Sequence, residues 1–261
     1  MCTLAIYFKA TRDYPVVIAA NRDEFLDRPA SDPTTLLEHP HVVGGKDLKA
    51  GGTWLGINEH GLVAGLLNRR SDDGASNLNA RSRGQLCLDA LRHRSSAEAA
   101  EHASHQRGAD YNPFNLLIVS RTQAFVAYNR NATIEVVELT PGMHLLSNLN
   151  LNDFECPKIS ASYGKFAKLG ETAEFHRDPV EQRAELGSLL ADHNTQLDSP
   201  SGRPNALCLH MDGYGTRSSS LIFMRAGTSG IEHFFAPGPP CKTPYSRAAV
   251  PRAATLAQGS K

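Results

Sequence analysis

The sequence predicts an α+β fold built on antiparallel sheets, and three features carry that prediction. Strand-like apolar runs are joined by short, turn-rich segments, as antiparallel pairing requires. Helical signals come in two separate blocks between groups of strands, which favours sheets covered by helices. No linker or shift of composition divides residues 1–236, so a single domain is expected there. Residues 237–261, rich in Pro, Ala and basic side chains, are expected to form a poorly ordered tail.

The elements follow in order. Residues 2–9 and 16–21 flank the turn-like stretch 11–15, predicting a hairpin. After a Pro-containing loop, 54–58 and 62–68 are separated by Glu59, His60 and Gly61, predicting a second hairpin. Ser82 with Gln85, and Ser95 with Glu98, read as capping boxes in front of two helices. Strands return at 115–120, 123–128, 133–139 and 143–148. Helices are expected over 158–169 and 179–193, the latter with Asp178 as N-cap, Pro179 in its first turn and Glu181 three residues past the cap. Two last strands, 206–211 and 220–226, bracket a turn-rich stretch, 212–219.

Bulk properties exclude several function classes. The formal net charge is zero, so broad attraction to nucleic acid or to an anionic membrane is not expected. No run approaches the roughly 18 apolar residues that span a bilayer. The start carries neither a basic leader nor a small-residue cleavage site, and the five cysteines are odd in number and scattered. Together these predict reduced thiols and a cytoplasmic location. No metal and no cofactor is expected: His102 and His105 share a helical face but lack a third ligand, and the glycine pairs lack a dinucleotide-site context.

The informative residue is Cys2. A thiol of ordinary pKa, about 8.5, is mostly protonated at neutral pH and needs a base. If Met1 is removed, the α-amine of Cys2, with a pKa of roughly 7.7–8.0, becomes that base. Asn21, Arg22, Asp23 and Glu24 end the second strand beside it, and alternation sets Asn21 and Asp23 on one face, Arg22 and Glu24 on the other. Asp23 is the candidate to orient the amine, with Arg22 expected to face away from Cys2; Arg22 and Asn21 are candidate substrate contacts. Asn68 and Asn148, each closing an apolar strand, are candidate donors to a developing oxyanion. Arg217 is a fixed cation suited to a thiolate or a carboxylate. Trp54, the sole tryptophan, is expected in the core.

Three blocks resemble the N-terminal-nucleophile hydrolases of the bile-salt hydrolase and penicillin V acylase group: Met1-Cys2-Thr3, the strand–turn–strand from Gly56 to Asn68, and Leu145-Leu146-Ser147-Asn148. Over roughly residues 1–235 the chain is also similar to the NRDE family of transport and Golgi organisation proteins. That likeness rests on Asn21-Arg22-Asp23-Glu24-Phe25, Gly51-Gly52-Thr53-Trp54-Leu55-Gly56, Tyr111-Asn112-Pro113-Phe114-Asn115-Leu116 and Gly213-Tyr214-Gly215-Thr216-Arg217. The hydrolases carry an arginine where this chain has Ala20.

The resemblance implies a four-layer αββα fold with two stacked antiparallel sheets. It implies catalytic roles for Cys2, Asp23, Asn68, Asn148 and, approximately, Arg217. The activity implied is hydrolysis or acyl transfer at a non-peptide amide or thioester of a small molecule. The alternative is a non-enzymatic carrier of a lipid, acyl-CoA or haem in the same cleft.

Overall fold

A computed structural model describes residues 2–70, 77–193, 204–227 and 230–252. The first hairpin forms from β1 (Thr3–Phe8) and β2 (Val16–Phe25). β2 continues through the polar run 21–24, where the sequence reading ended it, because β12 pairs with its whole length. The stretch read as a Pro-containing loop holds a hairpin of its own, β3 (Thr34–Glu38) and β4 (His41–Lys46). β5 (Thr53–Asn58) and β6 (Val63–Asn68) form the second expected hairpin.

The helices α1 (Arg83–Ala90) and α2 (Ser96–Ser104) follow, and the Ser82 and Ser95 hydroxyls accept from the Gln85 and Glu98 N–H groups as read. β7 (Phe114–Val119), β8 (Ala124–Arg130), β9 (Thr133–Glu138) and β10 (Gly142–Leu146) come next, then α3 (Pro157–Gly170), the short α4 (Ala173–Arg177) and α5 (Arg183–Leu190). α5 begins later than expected. The Asp178 carboxylate accepts from the Val180 N–H and so closes a turn instead of capping a helix.

The last strands also differ from the reading. Only His210–Met211 of 206–211 is a strand, β11, because the Leu207 and Cys208 N–H groups donate to the Asp192 carbonyl. β12 (Tyr214–Met224) takes in most of the stretch read as a turn, leaving the reversal to Asp212 and Gly213, where Gly213 adopts φ 68°. β13 (Ile231–Ala236) and β14 (Ser246–Arg247) are the last elements among the described residues. The expected loose tail is therefore packed as far as 252. β14 pairs with β13, and the Tyr245 hydroxyl lies 2.6 Å from the Ser219 Oγ. Residues 253–261 lie outside the described residues.

Strands β3 to β9 form one sheet in sequence order; the other runs β10-β1-β2-β12-β13-β14, with β11 against β12. α1 and α2 cover the first sheet, and α3 and α5 cover the second. The result is the αββα layering. β1 shows why a continuous apolar run suits it: Leu4, Ile6 and Phe8 enter the core between the sheets, while Ala5 and Tyr7 enter the core under α3–α5. No helix among the described residues is long and apolar enough to cross a membrane.

Two positions in this frame carry measurable consequences. A Cβ on Gly52 would lie 2.2 Å from the Gly84 backbone and 2.5 Å from the Gln85 nitrogen, so only glycine lets α1 start this close to β5. Gly52→Ala is expected to cost about 1–3 kcal/mol by overpacking, read as a lowered denaturant midpoint. His233, buried on β13, is held neutral by burial, its pKa lowered from 6.5 to about 4. Between those values the unfolded chain binds more protons, so stability is complete above about pH 6.5 and falls as pH drops towards 4. The loss amounts to roughly 3 kcal/mol. His233→Gln should flatten that part of the pH dependence of unfolding.

Candidate active site

The register of β1 against β2 decides which side chains surround the thiol. Thr3 pairs with Asn21, so Cys2 shares a face with Arg22, not with Asp23. This reverses the expected facing. Arg22 is only 7% exposed and its guanidinium lies over the Trp54 ring, 4.3 Å from the centroid. Ala20, two residues earlier, is on the same face of β2, so Arg22 offers an arginine to that side of the strand from one pleat further along. The Cys2 thiol points at the Asp23 main-chain carbonyl, 3.7 Å away, and the Ser147 hydroxyl donates to the Cys2 carbonyl at 2.9 Å.

The opposite face of β2 holds a buried polar row. The Asn21 amide donates to the carbonyls of Leu190 and Leu207, which ties down α5 and the loop before β11, while its Oδ1 is buried without a hydrogen-bond partner and the residue lines the recess beside Cys2. The Asp23 carboxylate lies 2.6 Å from the Lys158 Nζ and accepts from the Thr216 hydroxyl at 2.7 Å. Asp23 sits two residues beyond the partner of Thr3 and so flanks the N-terminal end of β1. Asn148 is buried, its Oδ1 accepting from the Cys156 thiol at 3.4 Å, on the α3 side of the sheet. Asn68, by contrast, is exposed and lines the same cleft as Cys2. Arg217 occupies a bulge of β12 between the rows of Asp23 and Arg22, with its Nε buried and unpartnered.

Cys2 stands where two spaces meet. A recess between the sheets, about 20 Å³ and walled in part by Leu4, Ala20 and Ser220, has room for one water. A cleft of about 590 Å³ opens on the other side. Among the described residues its wall carries five cations (Arg22, Arg28, Lys49, Arg81, Arg83) against two carboxylates, Glu24 and Asp47. Arg28 pairs with Asp47 at 2.6 Å, and Arg22 reaches Glu24 only at 3.9 Å. Burial pulls the Arg22 and Arg83 guanidinium groups down from their ordinary value, as happens to cations short of counter-charge. Phe25 and Leu78, 59% and 96% exposed, add an apolar portion to the same wall.

Burial also pushes the Cys2 thiol up, and the Asp23 charge adds to this while Arg22 pulls it down. The thiol is thus protonated at neutral pH unless a base removes its proton.

Several of these residues escaped the sequence reading. Trp54 lines the cleft as well as packing against the inter-sheet core. Lys158 is fully buried in the first turn of α3, a helix whose first turn holds no acid. A cation at that end opposes the helix dipole, and this was the available signal. Arg81 and Arg83 stand out in the sequence only as a local basic pair of the kind that contacts phosphate, and Thr216 only as a member of the Gly213–Arg217 block.

Comparison with known proteins places the fold and the family. A Clostridium perfringens conjugated bile acid hydrolase variant superimposes with a TM-score of 0.53 over all of both chains, at 11% identity. A Caenorhabditis elegans orthologue of N-acylethanolamine-hydrolyzing acid amidase gives 0.53 over 85% of this chain and 92% of its own, at 12% identity. Both share the fold. The Bos taurus Transport and Golgi organization protein 2 homolog is 32% identical over 243 residues, covering 82% of this chain and 83% of its own length. The Homo sapiens homolog is 29% identical over 234 residues, with the same coverage. Residues 1–232 match the Transport and Golgi organisation 2 family as a whole, and the chain belongs to that family.

Proposed function

We propose that the protein is an N-terminal-cysteine acyl hydrolase or acyltransferase acting on an anionic amphiphile through an amide or thioester bond, with attack at carbon–nitrogen bonds other than peptide bonds as the amide case. The observation that carries this is the position of Cys2, half-buried at the mouth of a cation-rich cleft whose wall also holds the Asn68 side chain. With Met1 removed, the α-amine takes the thiol proton and the thiolate attacks the carbonyl carbon. Asn68 donates to the oxyanion. Asp23, flanking the N-terminal end of β1, orients the amine, and Asn148 supports that end from the α3 side. The amine then returns its proton to the leaving amine or thiol. Water hydrolyses the acyl-enzyme thioester, regenerating the thiol.

The recess beside Cys2 is too small for an acyl chain, so the substrate lies in the cleft. The surplus of cations there suits a phosphate, sulfonate or carboxylate, and Phe25 and Leu78 suit an alkyl chain.

A second reading is favoured by the upward displacement of the Cys2 thiol: a carrier that holds the same class of ligand, such as a lipid, acyl-CoA or haem, without turning it over. The intact mass of the protein from its natural host separates the two. Loss of Met1, with Cys2 alkylated faster than the other four thiols, is expected for the enzyme. Retention of Met1 rules out the mechanism.

A further inference from the structure

Four side chains far apart in sequence meet beyond the end of α5: His193, Cys208, His210 and Cys241. Their donor atoms all lie within 4.8 Å of one another. The Cys208 and Cys241 sulfurs are 3.5 Å apart, and the His210 Nε2 is 3.2 Å from the Cys241 sulfur and 3.6 Å from that of Cys208. The His193 and His210 rings stand 5.2 Å apart between centroids. Tetrahedral bonds of about 2.3 Å to sulfur and 2.0–2.1 Å to nitrogen set neighbouring donor atoms about 3.3–3.8 Å apart. The three measured separations fall within or close to that range. Both cysteines are free thiols.

We propose that these residues form a tetrahedral zinc site, against the expectation of no metal drawn from the sequence. Two thiolates and two imidazoles are the donor set that selects zinc over magnesium, calcium or manganese. Two thiolates also balance the charge of a divalent ion. Binding displaces one proton from each thiol, so Zn²⁺ enters and two protons leave. Four protein ligands fill the coordination sphere, which makes the site structural.

The fold explains what such a site would hold. Cys241 belongs to the segment after β13, His193 follows α5, and Cys208 and His210 flank Leu209 before and within β11. The Leu209 N–H donates to the Thr216 hydroxyl, and that hydroxyl donates to Asp23. The Leu207 carbonyl accepts from Asn21. Zinc would brace the loop that buttresses the buried polar row of β2, so Asn21 and Asp23 are positioned through it while the metal itself stays out of the cleft.

The test uses the full chain, reduced, stripped with chelator and titrated with Co²⁺ and then Zn²⁺. The expected result is one Co²⁺ per chain, with the intense visible bands of a tetrahedral ion and thiolate-to-metal charge transfer, displaced by one Zn²⁺. His210→Ala and Cys241→Ser should each weaken binding more than about 100-fold, beyond the usual effect of losing an outer-shell partner. His105→Ala and Cys2→Ala should load as the parent does. Melting the stripped proteins side by side distinguishes lost ligands from lost fold, since ligand variants should match the stripped parent and fail to gain Tm on adding zinc. Absence of saturable binding, an octahedral cobalt spectrum, or full binding by a Cys208→Ser/Cys241→Ser double variant would overturn the site. So would a zinc-free protein isolated with a Cys208–Cys241 disulfide.

Discussion

Cys2→Ala is expected to lower kcat by at least about 10⁴-fold, because Cys2 supplies the only thiol among the described residues that line the cleft. The loss should fall on kcat and leave ligand binding intact, since the cations and the apolar wall remain in place. Cys2→Ser should retain little, because a hydroxyl is far harder to deprotonate than a thiol and the α-amine is a modest base. Removing one partly buried sulfur costs stability only about 1 kcal/mol, so unfolding is not an explanation for lost turnover. Single-turnover mass spectrometry reads the same step directly: an acyl adduct on the N-terminal peptide of the parent, and none on the alanine variant. Equal turnover by parent and Cys2→Ala would end the proposal. No turnover by either, with saturable binding by both, would leave the carrier reading.

Lys158→Met should lower stability by about 3–5 kcal/mol, the usual cost of leaving one member of a buried ion pair without its partner. Both members are almost wholly shielded, at 1% and 0% side-chain exposure, and the separation is 2.6 Å. In a chain of this size that corresponds to a fall in Tm of roughly 6–20 °C. Adding Asp23→Asn should recover much of the loss, because no charge is then buried and the Thr216 hydroxyl still has an oxygen to bond. A double-mutant cycle by denaturant melts measures this. An additive pair of losses would show that the two residues are not coupled. Restored stability without restored turnover in the double variant would mark Asp23 as a positioning group as well as half of a structural pair.

Much of the layered fold was legible because each strand carries its own period. β1 alternates between two cores and reads as a continuous apolar run, and the Ser82 and Ser95 caps announce α1 and α2 within one residue. Legibility failed where pairing overrode local chemistry. Residues 214–219 look like a turn and 21–24 like the polar end of a strand, yet β2 and β12 pair through both and supply each other's backbone partners. The terminal segment failed for a related reason: its proline-rich composition says nothing of Tyr245, which packs against Gly187 and bonds Ser219.

The candidate site divides along the same line. Sequence alone determined that a thiol stands second in the chain, that Asn68 closes a strand, and that Asn21 and Asp23 share one face of β2. It did not determine which face the thiol occupies. That rests on a register, and a shift of one residue exchanges every neighbour, so only the Thr3–Asn21 pairing puts Arg22 and Trp54 beside Cys2 and sends Asp23 to Lys158. The gathering of His193, Cys208, His210 and Cys241 is likewise tertiary: their spacing of 15, 2 and 31 residues is no local motif, and only packing at the end of α5 brings the four donors within reach of one ion.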